Sequence, residues 1–162
     1  MALAGLIADA TVDERGWRAW DEWGVEVETA EFLHALVRLT KPELVVEAGT
    51  GRGYAAFSIA TALAENGHGR LVTFEPELSF RQAATVRLAG LPVTIEAGYS
   101  WGYEGDDPDL VFVDSYGEVR ERDLRFWLPR ESMIVVHDAH EHAHLLEGGF
   151  TFATPRGLWC RP

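Results

Sequence analysis

The sequence is poor in cysteine, in lysine and in positive charge. One cysteine, Cys160, stands among 162 residues, so neither an internal disulfide nor a cysteine-rich zinc site is available. Acids outnumber bases 26 to 14, a formal net charge of −12. A field of that sign repels phosphate backbones and anionic headgroups, so nucleic acid and membrane are not expected partners. Of the bases only Lys41 is a lysine, which leaves little choice for a lysine general base. No apolar run reaches the length of a membrane span. The opening MALAGLIADA is apolar but short, lacks a basic leader and runs into Asp9, Asp13 and Glu14. No signal peptide is expected, and the default location is cytoplasmic.

What remains is a composition 47% hydrophobic and 25% charged, that of a soluble globular chain rather than a disordered one. The length favours one domain over residues 1–162, with an N-terminal helical segment over 1–40 and a core over 41–162. Trp17, Trp20 and Trp23 recur every three residues, and we read them as a short helix docked on the core. The sharper alternative is an aromatic lid over a ligand. Glu28 to Leu39 has Leu33, Leu36 and Val37 on one helical face. Short apolar strands then alternate with helices. Leu44-Val45-Val46, Leu71 to Phe74, Val93-Thr94-Ile95, Leu110 to Val113 and Met133 to Val136 read as strands. Tyr54 to Asn66, Ser79 to Ala89 and Glu118 to Leu128 read as helices. This is the pattern of an α/β fold with a mostly parallel sheet covered on both faces. Phe150 to Ala153, a Pro155-Arg156-Gly157 turn and Leu158 to Cys160 read as a terminal hairpin.

In such sheets ligands bind at the carboxyl ends of the strands. Glu47 and a glycine run (Gly49, Thr50, Gly51, Gly53, Tyr54) follow the first strand. Glu75-Pro76, Gly98-Tyr99, Asp114 and His137-Asp138 follow the others. Gly49 and Gly51 permit sharp turning and close approach to a ligand, and Gly53 lets the next helix start tight against its strand. Glu75, 24 residues beyond Gly51, can accept both hydroxyls of a ribose. Together they indicate a nucleoside cofactor. A dinucleotide turn would carry G-x-G-x-x-G to receive a pyrophosphate. Here Glu47 precedes the turn and Tyr54 takes the place of the last glycine. An acidic cleft suits the ammonium and sulfonium of S-adenosylmethionine better than it suits NAD.

The stretch Val45-Val46-Glu47-Ala48-Gly49-Thr50-Gly51-Arg52-Gly53 resembles motif I of the class I S-adenosylmethionine-dependent methyltransferases, and Leu71 to Glu75 resembles motif II. The resemblance implies a Rossmann-like seven-stranded sheet whose last strand is antiparallel. It implies that Glu47 and the glycines hold the methionine part, Glu75 the ribose and the Gly98-Tyr99 region the adenine. The segment from Asp109 to His140 is similar to small-molecule O-methyltransferases of the catechol type and to the related "D-H-S-Y" methyltransferases. In the catechol type two aspartates and an asparagine hold a divalent metal, and a lysine is the base. Asp114 and Asp138 match the aspartates as candidate metal ligands. Ala139 stands where the asparagine would be, and no lysine is near.

Four histidines and two acids fall between His137 and His144. His137, Asp138 and His140 are the candidates for deprotonating the acceptor. His142, His144 and His68 read as surface residues, His34 as a surface or core-edge residue and Cys160 as packing. The resulting expectation is methyl transfer from S-adenosylmethionine to a small molecule at oxygen. The alternatives are a non-catalytic S-adenosylmethionine-binding module and a nucleotide-linked oxidoreductase. The N-terminal tryptophans are compatible with a homodimer.

Overall fold

A computed structural model describes Gly5, residues 7–152 and residues 156–162. Two short strands, β1 (Thr11–Val12) and β2 (Arg18–Ala19), pair antiparallel. They are followed by α1 (Val27–Thr40), β3 (Leu44–Ala48), α2 (Tyr54–Asn66), β4 (Arg70–Glu75), α3 (Leu78–Arg87) and β5 (Val93–Ala97). Then come β6 (Leu110–Val113), α4 (Gly117–Trp127), β7 (Met133–Val136), β8 (Phe150–Phe152) and β9 (Leu158–Arg161). Short 3-10 turns cover Ser100–Gly102 and Ala139–Leu145.

The seven-stranded sheet has the order β5-β4-β3-β6-β7-β9-β8. Its first five strands are parallel, and β9 pairs antiparallel with both β7 and β8. Side-chain alternation along these strands supplies both faces. Val45, Leu71, Leu110, Phe112 and Val135 join α1 and α2 in one buried cluster. Val46, Val72, Val111, Val113, Ile134 and Val136 join Leu124 and Trp127 of α4 in the other. With both faces covered, the central strands carry apolar runs: Leu44–Val46, Leu71–Val72, Leu110–Val113 and Met133–Val136.

The strand order reverses at β3, which lies between β4 and β6. Ala48 pairs with Phe74 on one side and with Val113 on the other. The loops after these three strands therefore open into one crevice.

Two expectations are corrected. Residues 17–24 are not a helix: Arg18–Ala19 is a strand, and bends follow it. Only Trp20 of the three rings docks by stacking, at 4.8 Å on Tyr54. Trp23 stays exposed at 69%. The N-terminal segment is thus helical only from Val27 among the residues described after Ile7. The histidine stretch forms a 3-10 turn, Ala139–Leu145, kinked at His142. His142 is buried, not a surface residue, with neither ring nitrogen bonded. Pro155 of the anticipated hairpin turn lies outside the described residues, as do Ala153 and Thr154. No described helix is long and apolar enough to cross a membrane.

Candidate active site

The crevice at the switch in strand order is a cavity of about 410 Å³, within the range of about 300–1,000 Å³ usual for small-molecule sites. Its floor is the turn between β3 and α2. Gly49 sits at φ 95°, and a Cβ there would lie 2.7 Å from the Asp114 carbonyl oxygen. The approach that demands glycine is therefore to the end of β6 rather than to a ligand. Gly51, at φ 51°, has nothing within 4 Å of a would-be Cβ and faces the cavity. Gly53 gives its space to Ala84 of α3, not to the preceding strand.

Glu75, at the end of β4, is held by the turn it faces. Its carboxylate accepts the Gly51 N–H at 2.8 Å and the Glu77 N–H at 2.9 Å. Burial raises its pKa above the usual carboxylate range, and the two backbone bonds work against that rise. A carboxylate has about four acceptor directions, so Glu75 retains capacity for a ligand's hydroxyls. Deeper in the wall, Asp123 accepts from the hydroxyls of Ser100 and Ser115, the latter at 2.6 Å. Burial pushes the Asp123 carboxyl up, and both serine bonds oppose it.

Glu47 lies beneath the cavity. It is fully buried, accepts the Thr73 hydroxyl, and leaves Oε1 without a partner. Thr73 in turn bonds Thr50 at 2.6 Å. Burial, with the charges of Asp114 and Glu75, pushes the Glu47 carboxyl up to about 8, the Thr73 bond opposing.

Beside the cavity, past β6 and β7, runs a charged cluster. His137 is completely buried. Its Nδ1 meets Asp114 Oδ1 at 2.8 Å and its Nε2 meets Glu26 Oε2 at 2.9 Å. Burial alone would lower the imidazole pKa. The charge of Asp114 and the hydrogen bonds with Asp114 and Glu26 outweigh it and push the group up to about 10. The partner responds consistently: burial would raise Glu26, and His137 brings it below its ordinary value. Arg120 of α4, also buried, donates Nη2 to Asp138 Oδ2 at 3.0 Å and Nη1 to Glu141 Oε2 at 2.8 Å. Asp138 itself is held in the left-handed region at φ 52°.

A family model described as O-methyltransferase matches residues 6–99, more than half of the chain. The chain belongs to the O-methyltransferase family. No curated protein matches this methyltransferase. Solved structures share its fold. The O-methyltransferase TomG from Streptomyces achromogenes, involved in tomaymycin synthesis and crystallised with SAM, is 24% identical. The match covers 86% of this chain and 79% of TomG at a TM-score of 0.68. An O-methyltransferase from Bacillus cereus in complex with SAH is 17% identical, covering 86% and 81%, with a TM-score of 0.68. The SAH-bound methyltransferase PaMTH1 of Podospora anserina is 16% identical, covering 85% and 78%, with a TM-score of 0.67.

Most residues anticipated at the methyltransferase's cofactor site meet in the cavity: Gly49, Thr50, Gly51, Tyr54, Glu75, Pro76, Gly98, Tyr99 and Asp114 all line it. Glu47 and Gly53 do not. Glu47 as a direct ammonium contact is corrected, because its carboxyl is sealed under the turn. The candidate bases are displaced as well. Neither His137, Asp138 nor His140 lines the cavity. His137 faces acceptors on both sides, Asp138 is paired with Arg120, and exposed His140 bonds the Arg156 carbonyl at 2.7 Å. Of the two candidate metal ligands, Asp114 lines the cavity and Asp138 does not.

Asp123, Ser115, Tyr116 and Arg120 were not anticipated. The signal for two of them was present in α4. Arg120, Asp123, Leu124 and Trp127 fall at i, i+3, i+4 and i+7, and they are the buried face of that helix. Its first two members are charged, so the stripe does not read as apolar.

Proposed function

We propose that the chain binds S-adenosylmethionine in this cavity and transfers its methyl group to an oxygen of a small molecule. The observation that carries the reading is Glu75, fixed by the Gly51 and Glu77 N–H groups at the cavity wall with acceptor capacity to spare. The cradle fits the cofactor: Gly51 and Gly98 leave open space where a side chain would stand. Asp21, Glu77, Asp114 and Asp123 add carboxylates to the lining, favouring a cationic ligand.

The bound cofactor would supply an electrophilic methyl group. The protein's contribution is then placement. Glu75 and the turn fix the nucleoside end, and Asp114 and Asp123 face the positive end. The exposed rings of Trp23 and Tyr116, both lining the cavity, offer faces for a planar aromatic acceptor. Holding acceptor oxygen and methyl in line is worth up to about 7–11 kcal/mol of barrier. Lys41 lies before β3, at the opposite edge of the sheet, and takes no part.

Calorimetry with S-adenosylhomocysteine tests the site, and labelled methyl transfer to a panel of phenols tests the reaction. Binding to the wild type, weakened at least about tenfold in Glu75→Gln by loss of a charged hydrogen bond worth about 1.5–3 kcal/mol, is expected. Absence of binding sinks the proposal. Binding with no turnover on any phenol confines the chain to a binding role.

A further inference from the structure

The charged cluster bears on what the aspartates do. The catechol-type resemblance places a divalent metal between Asp114 and Asp138, and ligand atoms of Asp114, His137 and Asp138 do lie within 4.8 Å of one another. A magnesium ion there would need one or two free carboxylates, with waters completing about six oxygen ligands. The third expected ligand is replaced by Ala139, which has no donor atom. More decisively, the carboxylates are already occupied.

Arg120 is only 3% exposed, and its Nη2 lies 3.0 Å from Asp138 Oδ2 and 4.0 Å from Asp114 Oδ1. Its Nη1 continues to Glu141 at 2.8 Å. His137 Nδ1 takes the same Asp114 oxygen at 2.8 Å and stands 3.7 Å from Asp138 Oδ2. Each aspartate therefore spends its inward oxygen on an N–H donor. An added dication would face a buried guanidinium at close range, where like charges repel strongly. The donor set does not fit a divalent metal.

We infer that the Arg120 guanidinium takes the position of the divalent cation, tying the ends of β6 and β7 to α4 and leaving this active site metal-independent. The inference rests on the methyltransferase reading only for the expectation of a metal; the ion pairs stand without it. A guanidinium offers two directed donor edges where a metal offers open coordination positions. It can hold Asp114 and Asp138 in place, but being buried and absent from the cavity lining it cannot bind both oxygens of a catechol. Acceptor binding then falls to the cavity's own groups.

The test is metal binding itself, read without cofactor or turnover. Chelator-treated protein is titrated with manganese and followed by calorimetry and by melting temperature. The wild type is expected to show no stoichiometric heat and no shift. Arg120→Ala, which uncovers two carboxylates, is expected to gain a manganese-dependent rise in melting temperature that Arg120→Lys does not. Stoichiometric manganese binding by the wild type, lost in Asp138→Asn, overturns the inference. Should Arg120→Ala fail to fold, the wild-type titration and its Asp138→Asn control still decide. Binding of S-adenosylhomocysteine is measured separately, so failure of the cofactor assignment is distinguishable from failure of this one.

Discussion

Replacing Glu47 with glutamine should stabilise the cofactor-free protein, and more so as pH rises. The wild-type carboxyl is fully buried, and its pKa rises from the ordinary 4.5 to about 8. The unfolded chain ionises the same group near the ordinary value. Folding therefore takes up a proton at any pH between the two, and stability falls by about 1.4 kcal/mol per pH unit across that window. The accumulated cost is about 3 kcal/mol at neutral pH and levels off near 5 kcal/mol above the folded pKa, upper bounds that relaxation and water penetration reduce. Glutamine keeps the shape, and its amide can still bond the Thr73 hydroxyl, but it never ionises. Urea unfolding of both proteins at roughly pH 5, 7 and 9 isolates the effect, since every other titrating group is shared. The stability difference should be small at the first pH, favour the variant by about 1–3 kcal/mol at the second, and grow at the third. A difference that is flat with pH, or a variant less stable than wild type at the highest pH, refutes the burial argument.

Four further variants have expected outcomes. His137→Asn should cost about 3–5 kcal/mol in urea unfolding, because it strands the buried Glu26 carboxylate. In the wild type the His137 contribution is complete below its ordinary 6.5 and is lost as pH rises through about 10, so stability should keep declining after Glu47 has finished titrating. Gly49→Ala should destabilise by more than about 2 kcal/mol, combining left-handed strain with a collision against the Asp114 carbonyl. Gly51→Ala, strained but unobstructed, should cost about 1–2 kcal/mol while weakening S-adenosylhomocysteine binding, since its Cβ enters the cavity; the opposite ranking in thermal melts and calorimetry would contradict the cradle. Trp23→Ala should leave the melting temperature unchanged, since the ring is exposed, and raise KM for an aromatic acceptor.

The four central parallel strands could be read from the sequence because strands buried on both faces admit few polar residues, and each of these carries a short apolar run; β5, at the sheet edge, is only partly buried. The cofactor loop was legible for a related reason: left-handed backbone at Gly49 and Gly51 restricts the choice of residue. What could not be read depends on contacts far apart in sequence. Glu47 and Glu75 both end a strand in an acid, and only tertiary packing buries one under Thr73 and turns the other toward the cavity. His137 looked like a base by its neighbours, yet its partner Glu26 stands 111 positions away. Arg120 sits among Glu121, Arg122 and Arg125 on α4, and only its helical spacing from Asp123, Leu124 and Trp127 separates the buried arginine from its neighbours. The tryptophan triplet misled because its spacing of three suits a helical face, while the backbone there forms a hairpin strand and bends.

The cavity wall around Asp21 to Val25 is anchored from near and far along the chain: Arg52 pairs with Asp21 and Tyr54 stacks on the adjoining Trp20, while the far end holds it too. Arg156 donates to the carbonyls of Glu22 and Gly24, and His137 holds Glu26. During synthesis the glycine turn and Glu75 can assemble once β3 and β4 have emerged. The rest of the wall opposite them must wait for residues more than a hundred positions later. A nascent chain would thus expose an acidic, half-built cleft through the later part of its translation. Ligand capture should appear late and all at once, with the docking of the Arg156 side chain.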